Sequence, residues 1–263
     1  MSNWSGCSDY KATIVVPVLK QKDEWLRQAL VSAIKQTVPT EVIVVVSEDT
    51  PRENHRTIID LIGRYNNLFV CFDEGSFASA INIGFQKAKT DRVGILLSDD
   101  WLEEDAIEKC LPRKVDIVST GMNFTKASGI SRRKRLVHES TYDKLATLWE
   151  KASYLKHFFL FQREKVLLIG GVDNKIGLTG PDDFDMIWTL LENGATVSLV
   201  SEPLYNYRDH LECRLSLRSK EDQIIDLKKI LVKHKVSEEE QEVVLAKKSR
   251  WLGVTVEEGE RQR

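Results

Sequence analysis

Residues Val93 to Trp101 read VGILLSDDW, a short apolar run that is closed by Ser98, Asp99 and Asp100. A run that is short and almost continuously apolar is typical of a strand that is buried on both faces of a sheet. Two adjacent carboxylates follow where this strand ends. The stretch therefore predicts a parallel sheet covered on both faces, with acidic groups at the carboxyl end of one strand.

Similar β-branched runs recur on both sides of this stretch. They predict four further strands, namely Ala12–Val18, Val42–Val46, Leu68–Phe72 and Val115–Ser119. Between them, apolar residues follow the three-and-four spacing of amphipathic helices, and Asp23 is the expected N-cap of the first helix. Alternating strands and helices predict parallel β-α-β units, and hence a mostly parallel α/β sheet flanked by helices.

The second half of the chain is less regular. The basic run Arg132–Arg135 predicts an exposed hairpin or a loop. This segment is either simply solvated, or it contacts a diphosphate, a charged acceptor or anionic lipid. Further elements are two strands and a helix: His157–Phe161, Thr196–Val200 and about Asp182 to Asn193. The chain beyond His210 is helical and rich in charge. We therefore predict a main domain of residues 1–212 and a helical extension of residues 213–263.

The composition is that of a folded chain with a sizeable core. The 263 residues are 42% apolar, and 38 basic residues against 40 acidic ones give a net charge of −2. This balance provides no global basic field, so nucleic acid is not an expected partner. Apolar residues in the predicted C-terminal helix, including Leu227 and Ile230, pack either on the core or on a second copy of the chain, and oligomerisation through these helices stays open.

The distribution of cysteines and apolar residues favours a reducing compartment. The cysteines Cys7, Cys71, Cys110 and Cys213 form no CxxC pair and are expected to be free thiols. The N-terminus lacks an apolar segment of the signal-peptide type. The longest dense apolar run, Val42–Val46, is far shorter than the roughly 20 residues that span a bilayer. We expect a cytoplasmic protein, and peripheral contact with a membrane remains open.

Acidic residues follow two of the predicted strands. In open α/β sheets, ligands bind beyond the carboxyl ends of the strands. Asp99 and Asp100 would offer oxygen ligands to Mg²⁺ or Mn²⁺, or Asp100 would instead cap a following helix. After the strand Val42–Val46, the acids Glu48 and Asp49 would accept a hydrogen bond from a nucleobase, or form a solvated turn.

Two further candidate groups lie in the second half of the chain. The run Asp182-Asp183-Phe184-Asp185 opens a predicted helix, where acids interact favourably with the helix dipole. The functional alternative is a general base that takes a proton from an acceptor hydroxyl. His210 follows Arg208-Asp209, and a neutral imidazole ligates metals, although a lone histidine is also a common core or surface residue.

The order of these segments resembles the inverting family 2 glycosyltransferases, which have the GT-A fold. The resemblance runs from about Ala12 to His210. Its segments are Thr13–Val18, Leu30–Thr37 (LVSAIKQT), Glu41–Val45, the helix residues Gly75, Ala80, Asn82, Gly84 and Ala88, Ser98-Asp99-Asp100 at the Asp-x-Asp position, Gly170–Asp173, Asp182–Asp185 and Tyr207–His210.

The resemblance implies a metal-dependent hexosyltransferase. It would move a sugar from a nucleoside diphosphate, with UDP favoured, to a hydroxyl of a saccharide or another acceptor. The implied metal ligands for Mn²⁺ or Mg²⁺ are Asp100 and His210, and the implied catalytic base is Asp183. The implied donor-binding residues are Pro17, Val18, Glu48, Asp49, Asn82, Ser98 and Asp99.

The sequence departs from the family pattern at three places. Val46-Ser47 stands where an Asp-Asp pair is usual, Leu19-Lys20 replaces an aromatic residue and Asn, and Leu97 replaces the first Asp of the metal motif. These departures keep open a catalytically silent module that binds sugar nucleotides. A nucleotidyltransferase is a further alternative, but Val18–Glu24 lacks the glycines of its phosphate loop.

Overall fold

One mixed sheet forms the centre of the molecule. The computed structural model describes residues 9–176, 182–211, 219–254 and 258. Within these residues the sheet has nine strands: β1 (Ala12–Val18), β2 (Thr40–Val46), β3 (Leu68–Phe72), β4 (Arg92–Ile95), β5 (Trp101–Leu102), β6 (Ile117–Lys126), β7 (Ser131–Arg135), β8 (Phe159–Gln162) and β9 (Val197–Asp209). Their spatial order is β3-β2-β1-β4-β8-β6-β9-β5, and β7 pairs with β6 alone.

Helices cover both faces of this sheet. They are α1 (Asp23–Ile34), α2 (Arg52–Ile62), α3 (Phe77–Lys87), α4 (Ala106–Cys110), α5 (Glu139–Tyr142), α6 (Leu148–Tyr154), α7 (Arg163–Leu168), α8 (Asp182–Glu192), α9 (Lys220–Lys233) and α10 (Glu238–Lys248), followed by a 3-10 helix at Ser249–Trp251. Two clusters of buried apolar side chains lie on opposite faces of the sheet. The layered α/β architecture that the sequence predicts is confirmed.

The strands β3, β2, β1 and β4 are parallel, as the β-branched runs predict. Every residue of β1 and β2 is buried, which explains why these strands lack polar alternation. Helix α3 lies unusually close to β1, because a Cβ on Gly84 would stand 2.2 Å from a methyl carbon of Val15. Because β3, β2, β1 and β4 are parallel, their carboxyl ends lie at one common edge of the sheet, and this edge carries the loops described below.

Several local predictions needed correction. Asp23 is the first residue of α1 rather than its N-cap, and its carboxylate accepts a hydrogen bond from Asn54 at 2.8 Å. Asp100 does not cap a helix, because the next two residues form β5, which pairs with β9. The basic run Arg132–Arg135 is part of strand β7, so the hairpin alternative is the correct one.

The C-terminal helices α9 and α10 pack against the rest of the chain. Their apolar residues Leu227, Ile230, Leu231 and Val244 are almost completely buried in one of the two core clusters. The indole nitrogen of Trp149 also donates to Glu240 at 2.9 Å. The chain therefore covers one apolar face of these helices itself, whereas Ile225, Val232 and Val243 are exposed. The predicted domain boundary between residues 212 and 213 lies outside the described residues.

The structure bears on two expectations, namely the free thiols and the membrane-spanning helices. Cys71 and Cys110 are free thiols, whereas Cys7 and Cys213 lie outside the described residues. No helix in the described ranges combines the length and the apolar character that crossing a bilayer requires.

Candidate active site

The loops after β1, β2 and β4 meet at one edge of the sheet. Val18 and Val46 are register partners at the ends of β1 and β2. The hydroxyl of Thr50 donates to the Val18 carbonyl at 3.0 Å and accepts from the Ser47 amide at 3.1 Å, which fixes the turn after β2. The two acids of this turn, Glu48 and Asp49, are exposed at its tip. Pro17 and Val18 are buried strand residues, so only their backbone borders this edge.

The loop after β4 brings Asp99 against His210. The Asp99 Oδ2 and His210 Nε2 atoms are 2.9 Å apart, and the Asp99 side chain is 16% exposed whereas that of His210 is 2% exposed. The ring of Trp25 lies against the imidazole, with 4.6 Å between centroids. Ser98, next to this pair, is half-buried. The structure thus unites one carboxylate and one imidazole that are 111 residues apart in the chain.

Asp100 points away from this pair and into the protein. Its Oδ2 atom accepts from the Tyr205 hydroxyl at 2.6 Å, and its Oδ1 atom accepts from the Arg208 amide at 2.6 Å. The residue is 1% exposed. Burial and the Asp100 charge raise the pKa of Tyr205 well above its usual range, so the phenol stays protonated as a donor. Asp100 therefore anchors β9 to the end of β4, which differs from the metal-ligand role that the family resemblance implies.

Arg208 positions the backbone of Asp99. Its guanidinium donates to the Asp99 carbonyl at 2.8 Å, to the Ala127 carbonyl at 2.7 Å and to Gln28 Oε1 at 2.6 Å. The guanidinium also lies 5.0 Å from the ring centroid of Trp25 and 4.7 Å from that of Trp101. Sequence reasoning assigned Arg208 no role, although its place in the segment Tyr207–His210 was the available signal.

Asp183 lies near the start of α8 and contacts His157. The Asp183 Oδ2 and His157 Nε2 atoms are 3.4 Å apart, and Asp183 Oδ1 accepts from the Phe184 amide at 2.7 Å. Burial opposes ionisation of Asp183, but His157 and the nearby lysines Lys156 and Lys248 outweigh it and lower its pKa to about 2. Asp183 is therefore a carboxylate at neutral pH.

His157 links the two parts of this site. Its ring stacks on that of Tyr205 with 5.4 Å between centroids, and Tyr205 in turn donates to Asp100. A continuous series of contacts thus runs from Asp183 through His157 and Tyr205 to the loop that carries Asp99. Nothing in the local sequence around His157 indicated this role, because the contact depends on how β8 and β9 lie in the sheet.

The acidic run at the start of α8 serves two different purposes. Asp185 is 1% exposed, and its carboxylate contacts Lys233 at 2.7 Å and His234 at 3.0 Å. The imidazole of His234 stacks on Trp188 at 4.2 Å. Asp185 thereby fixes α8 to the end of α9, whereas the side chain of Asp182 lies outside what the structure describes.

Both polar atoms of the Asn82 side chain are engaged by the turn after α7. Its side-chain amide donates to the Val172 carbonyl at 2.8 Å, and its oxygen accepts from the Val172 amide at 2.8 Å. A Cβ on Gly171, whose φ is +75°, would stand 2.1 Å from this oxygen. Asn82 therefore holds the Gly170–Gly171 turn, and the donor-binding role that the resemblance implies for it stays a prediction.

The described residues contain no group of three or more His, Cys, Asp or Glu side chains that could hold a metal ion. The Asp99–His210 pair offers two ligands of suitable type for Mn²⁺. Hard divalent ions in nucleotide sites take one or two protein ligands and complete their coordination with phosphate oxygens and water. The residues present therefore fit a metal that arrives with a nucleoside diphosphate.

Comparisons with known proteins show the family of the chain. The model of the family described as "Glycosyl transferase family 2" matches residues 13–168. The O-antigen biosynthesis protein RfbC of Myxococcus xanthus is 25% identical over 201 residues, which are 75% of this chain and 16% of that protein. The chain spans 16% to 31% of the lengths of three curated relatives that it matches.

Solved structures show the same fold. Residues 1–349 of S. aureus TarS in complex with UDP-GlcNAc superpose with a TM-score of 0.65 at 19% identity, covering 87% of this chain and 67% of that one. GalNAc-T7 with UDP, GalNAc and Mn²⁺ superposes with a TM-score of 0.63 at 13% identity, covering 83% and 48%. The predicted GT-A fold is confirmed.

Proposed function

Because the chain belongs to glycosyl transferase family 2, we propose that it transfers a sugar from a nucleoside diphosphate to a hydroxyl acceptor with inversion. The observation that carries this proposal is the series of contacts from the Asp99–His210 pair through Tyr205 and His157 to Asp183. Two side chains that could hold a metal and one ionised carboxylate are thus connected by a series of side-chain contacts. The donor nucleotide that we favour is UDP, which TarS and GalNAc-T7 hold in their solved structures.

On the donor side, we assign Asp99 and His210 as the protein ligands of Mn²⁺ or Mg²⁺. When bound, such an ion supplies positive charge that stabilises the departing diphosphate. Arg208 keeps the Asp99 backbone in place, and Trp25 orients the imidazole of His210. We assign the exposed residues Glu48 and Asp49 to contact with the nucleobase of the donor. Ser98 borders the same edge of the sheet.

On the acceptor side, we assign Asp183 as the general base. Its low pKa keeps it ionised, which is the protonation state that a base requires. In the proposed reaction, Asp183 takes the proton of the acceptor hydroxyl while the oxygen forms a bond to the anomeric carbon. The bond from that carbon to the diphosphate oxygen breaks on the opposite side, and the diphosphate departs with the electron pair.

The test is release of nucleoside diphosphate from a panel of nucleotide sugars in the presence of Mn²⁺, with saccharide acceptors or with water. We expect wild type to release UDP and the Asp183→Asn variant to lose 100-fold or more of acceptor-dependent turnover, a magnitude typical of general-base catalysis (about 10²–10⁴). The matched control is Asp143→Asn, which makes the same chemical change at an exposed carboxylate.

Three outcomes separate the alternatives. Binding of a donor without release of diphosphate would favour the silent module that binds sugar nucleotides. Neither binding nor release with any donor would refute the transferase proposal. Release that Asp183→Asn leaves unchanged would refute only the assignment of the base.

A further inference from the structure

The carboxylate of Asp183 is linked to the central sheet by one side-chain contact. Asp183 is the second residue of α8, and its side chain is 39% exposed. Its Oδ1 atom accepts from the amide of the next residue, Phe184, which does not fix the carboxylate relative to other elements. Its Oδ2 atom lies 3.4 Å from His157 Nε2. In the part of the chain that the structure describes, His157 is therefore the residue that ties this carboxylate to another element.

Buried hydroxyls of β6 hold the backbone on both sides of His157. The Ser119 hydroxyl accepts from the Lys156 amide at 3.0 Å and donates to the Lys156 carbonyl at 2.7 Å. The Thr120 hydroxyl accepts from the Phe158 amide at 2.9 Å. Both hydroxyl-bearing residues are completely buried, and hydrogen bonds are stronger where water is excluded. The sheet therefore fixes the position from which the imidazole of His157 extends.

Two aromatic rings hold the imidazole itself. The ring of Tyr205 stacks on it at 5.4 Å between centroids, and the ring of Phe159 meets it edge-on at 4.8 Å. Among the described residues, the Nδ1 atom of His157 is buried and has no hydrogen-bond partner. In a neutral imidazole one nitrogen carries the proton and the other accepts. Because a carboxylate oxygen faces Nε2 and nothing faces Nδ1, the proton belongs on Nε2.

We propose that His157 is the positioning residue of the general base, whose Nε2–H group donates to Asp183 Oδ2 and holds this carboxylate in one orientation. The inference rests on the proposed function, because it takes Asp183 as the base. In the reaction His157 keeps its own proton, and the proton of the acceptor hydroxyl goes to another lone pair of the Asp183 carboxylate. The separation of 3.4 Å exceeds the usual N–H···O distance of about 2.7–3.2 Å, and catalytic hydrogen bonds commonly shorten when substrate is in place.

The two amide analogues of histidine test this role. The amide nitrogen of glutamine falls near the place of Nε2, whereas that of asparagine falls near the place of Nδ1 and does not reach Asp183. We therefore expect His157→Gln to keep most of the wild-type kcat. We expect His157→Asn to lower kcat by about 10-fold or more, because a small misplacement of a catalytic group costs up to about 10²-fold. The KM of the donor should stay unchanged in both variants, because His157 acts on the base.

The assay is release of UDP from UDP-GlcNAc, which TarS holds in its solved structure, and from the other donors of the panel. It contains Mn²⁺ and uses water or saccharides as acceptors. The control variants are His138→Gln and His138→Asn, which make the same two changes at an exposed histidine and should leave kcat unchanged. Thermal unfolding of each variant establishes that it is folded before its rates are compared.

A second measurement needs no turnover, because it follows the imidazole itself. The chain has five histidines, so the ring signals of protein labelled with ¹⁵N-histidine are few. The signals that vanish in His157→Gln belong to His157. By nuclear magnetic resonance, we expect its proton on Nε2 in wild type. We expect the Nε2 signal to shift in Asp183→Asn, because the carboxylate that accepts this proton is lost.

Each contrary outcome has a distinct meaning. If His157→Gln lost as much turnover as Asp183→Asn, the inference would be overturned, because His157 would then itself carry the proton. Wild-type kcat in His157→Asn would overturn it as well, since the contact would not serve the base. A proton on Nδ1, or an Nε2 signal that Asp183→Asn leaves unchanged, would overturn it without reference to activity. Absence of diphosphate release by wild type with every donor would count against the proposed function instead, and the ring signals would still decide whether the contact exists.

Discussion

Asp99 and Asp100 are neighbours, but we expect loss of charge to affect different properties at the two positions. At Asp100 it should lower the stability of the protein, and at Asp99 it should weaken the binding of Mn²⁺. In Asp100→Asn, the NH2 group of the new side chain would face one of the two groups that donate to Asp100, the Tyr205 hydroxyl or the Arg208 amide. The hydroxyl can rotate to accept, so the net loss is close to one hydrogen bond to a charged group, which is worth about 1.5–3 kcal/mol when buried. For a chain of this size, about 2 kcal/mol corresponds to a fall in Tm of about 4–8 °C.

Asp99→Asn should have the complementary effect. The Asp99 side chain is partly exposed, and an asparagine oxygen can still accept a hydrogen bond from His210, so we expect a change in stability within about 0.5 kcal/mol. Loss of the carboxylate charge should weaken Mn²⁺ binding by about 10-fold or more, as removal of a metal ligand or its support typically does.

Thermal unfolding monitored by circular dichroism measures the first effect, and calorimetric titration of Mn²⁺ in the presence of UDP measures the second. The two single variants serve as controls for each other, since each makes the same chemical change one residue apart. If Asp100→Asn unfolds at the wild-type temperature but loses Mn²⁺ binding, the assignment of Asp99 as ligand and Asp100 as anchor is refuted, and the role that the family resemblance implies for Asp100 stands.

Two further predictions concern the buried Arg208 and the half-buried Lys248. A lysine cannot reproduce the three hydrogen bonds of the Arg208 guanidinium, so we expect Arg208→Lys to lower the free energy of unfolding by about 2–4 kcal/mol, measured by urea denaturation. A free energy of unfolding equal to that of wild type would show that these contacts contribute nothing to stability. The pKa of Lys248 falls from 10.5 to about 7 on folding, so the unfolded chain binds more protons between these values and the free energy of unfolding should rise with pH across that window. Lys248→Met should lack this rise and be more stable than wild type at pH 7, on the order of 1 kcal/mol after allowance for solvent screening; parallel curves for the two proteins at pH 7 and 9.5 would contradict this.

The acidic clusters mark the limit of what sequence reasoning could predict. The sequence correctly indicated that acids follow β4 and open α8, but it could not separate the roles of neighbours. Asp99 and Asp100 are adjacent and point in opposite directions. Asp183 and Asp185 are two positions apart on a helix, about 200° around its axis, so one contacts His157 and the other is buried against α9.

The sequence by itself determined the parallel strands β1 to β4, the helices α1 to α3 and the family. It did not predict β5, nor that β6 and β9 continue to Lys126 and Asp209. The bounds of β1 are those predicted, because a strand that is buried on both faces shows its burial in consecutive residues. The bounds of β3 are also those predicted, although β3 is an edge strand in which Phe72 is exposed. These are local properties of the chain, since hydrophobic periodicity is read within a window of a few turns or one strand.

Only the tertiary structure decided which side chains form the site. Tyr205 and Arg208 reach Asp100 across more than 100 residues, because β9 crosses the sheet to lie beside β6 and β5. Lys248 reaches Phe184 because the C-terminal helices fold back over the core. Such contacts depend on how separate elements pack, and no local pattern of residues encodes the distance between two atoms that packing alone brings together.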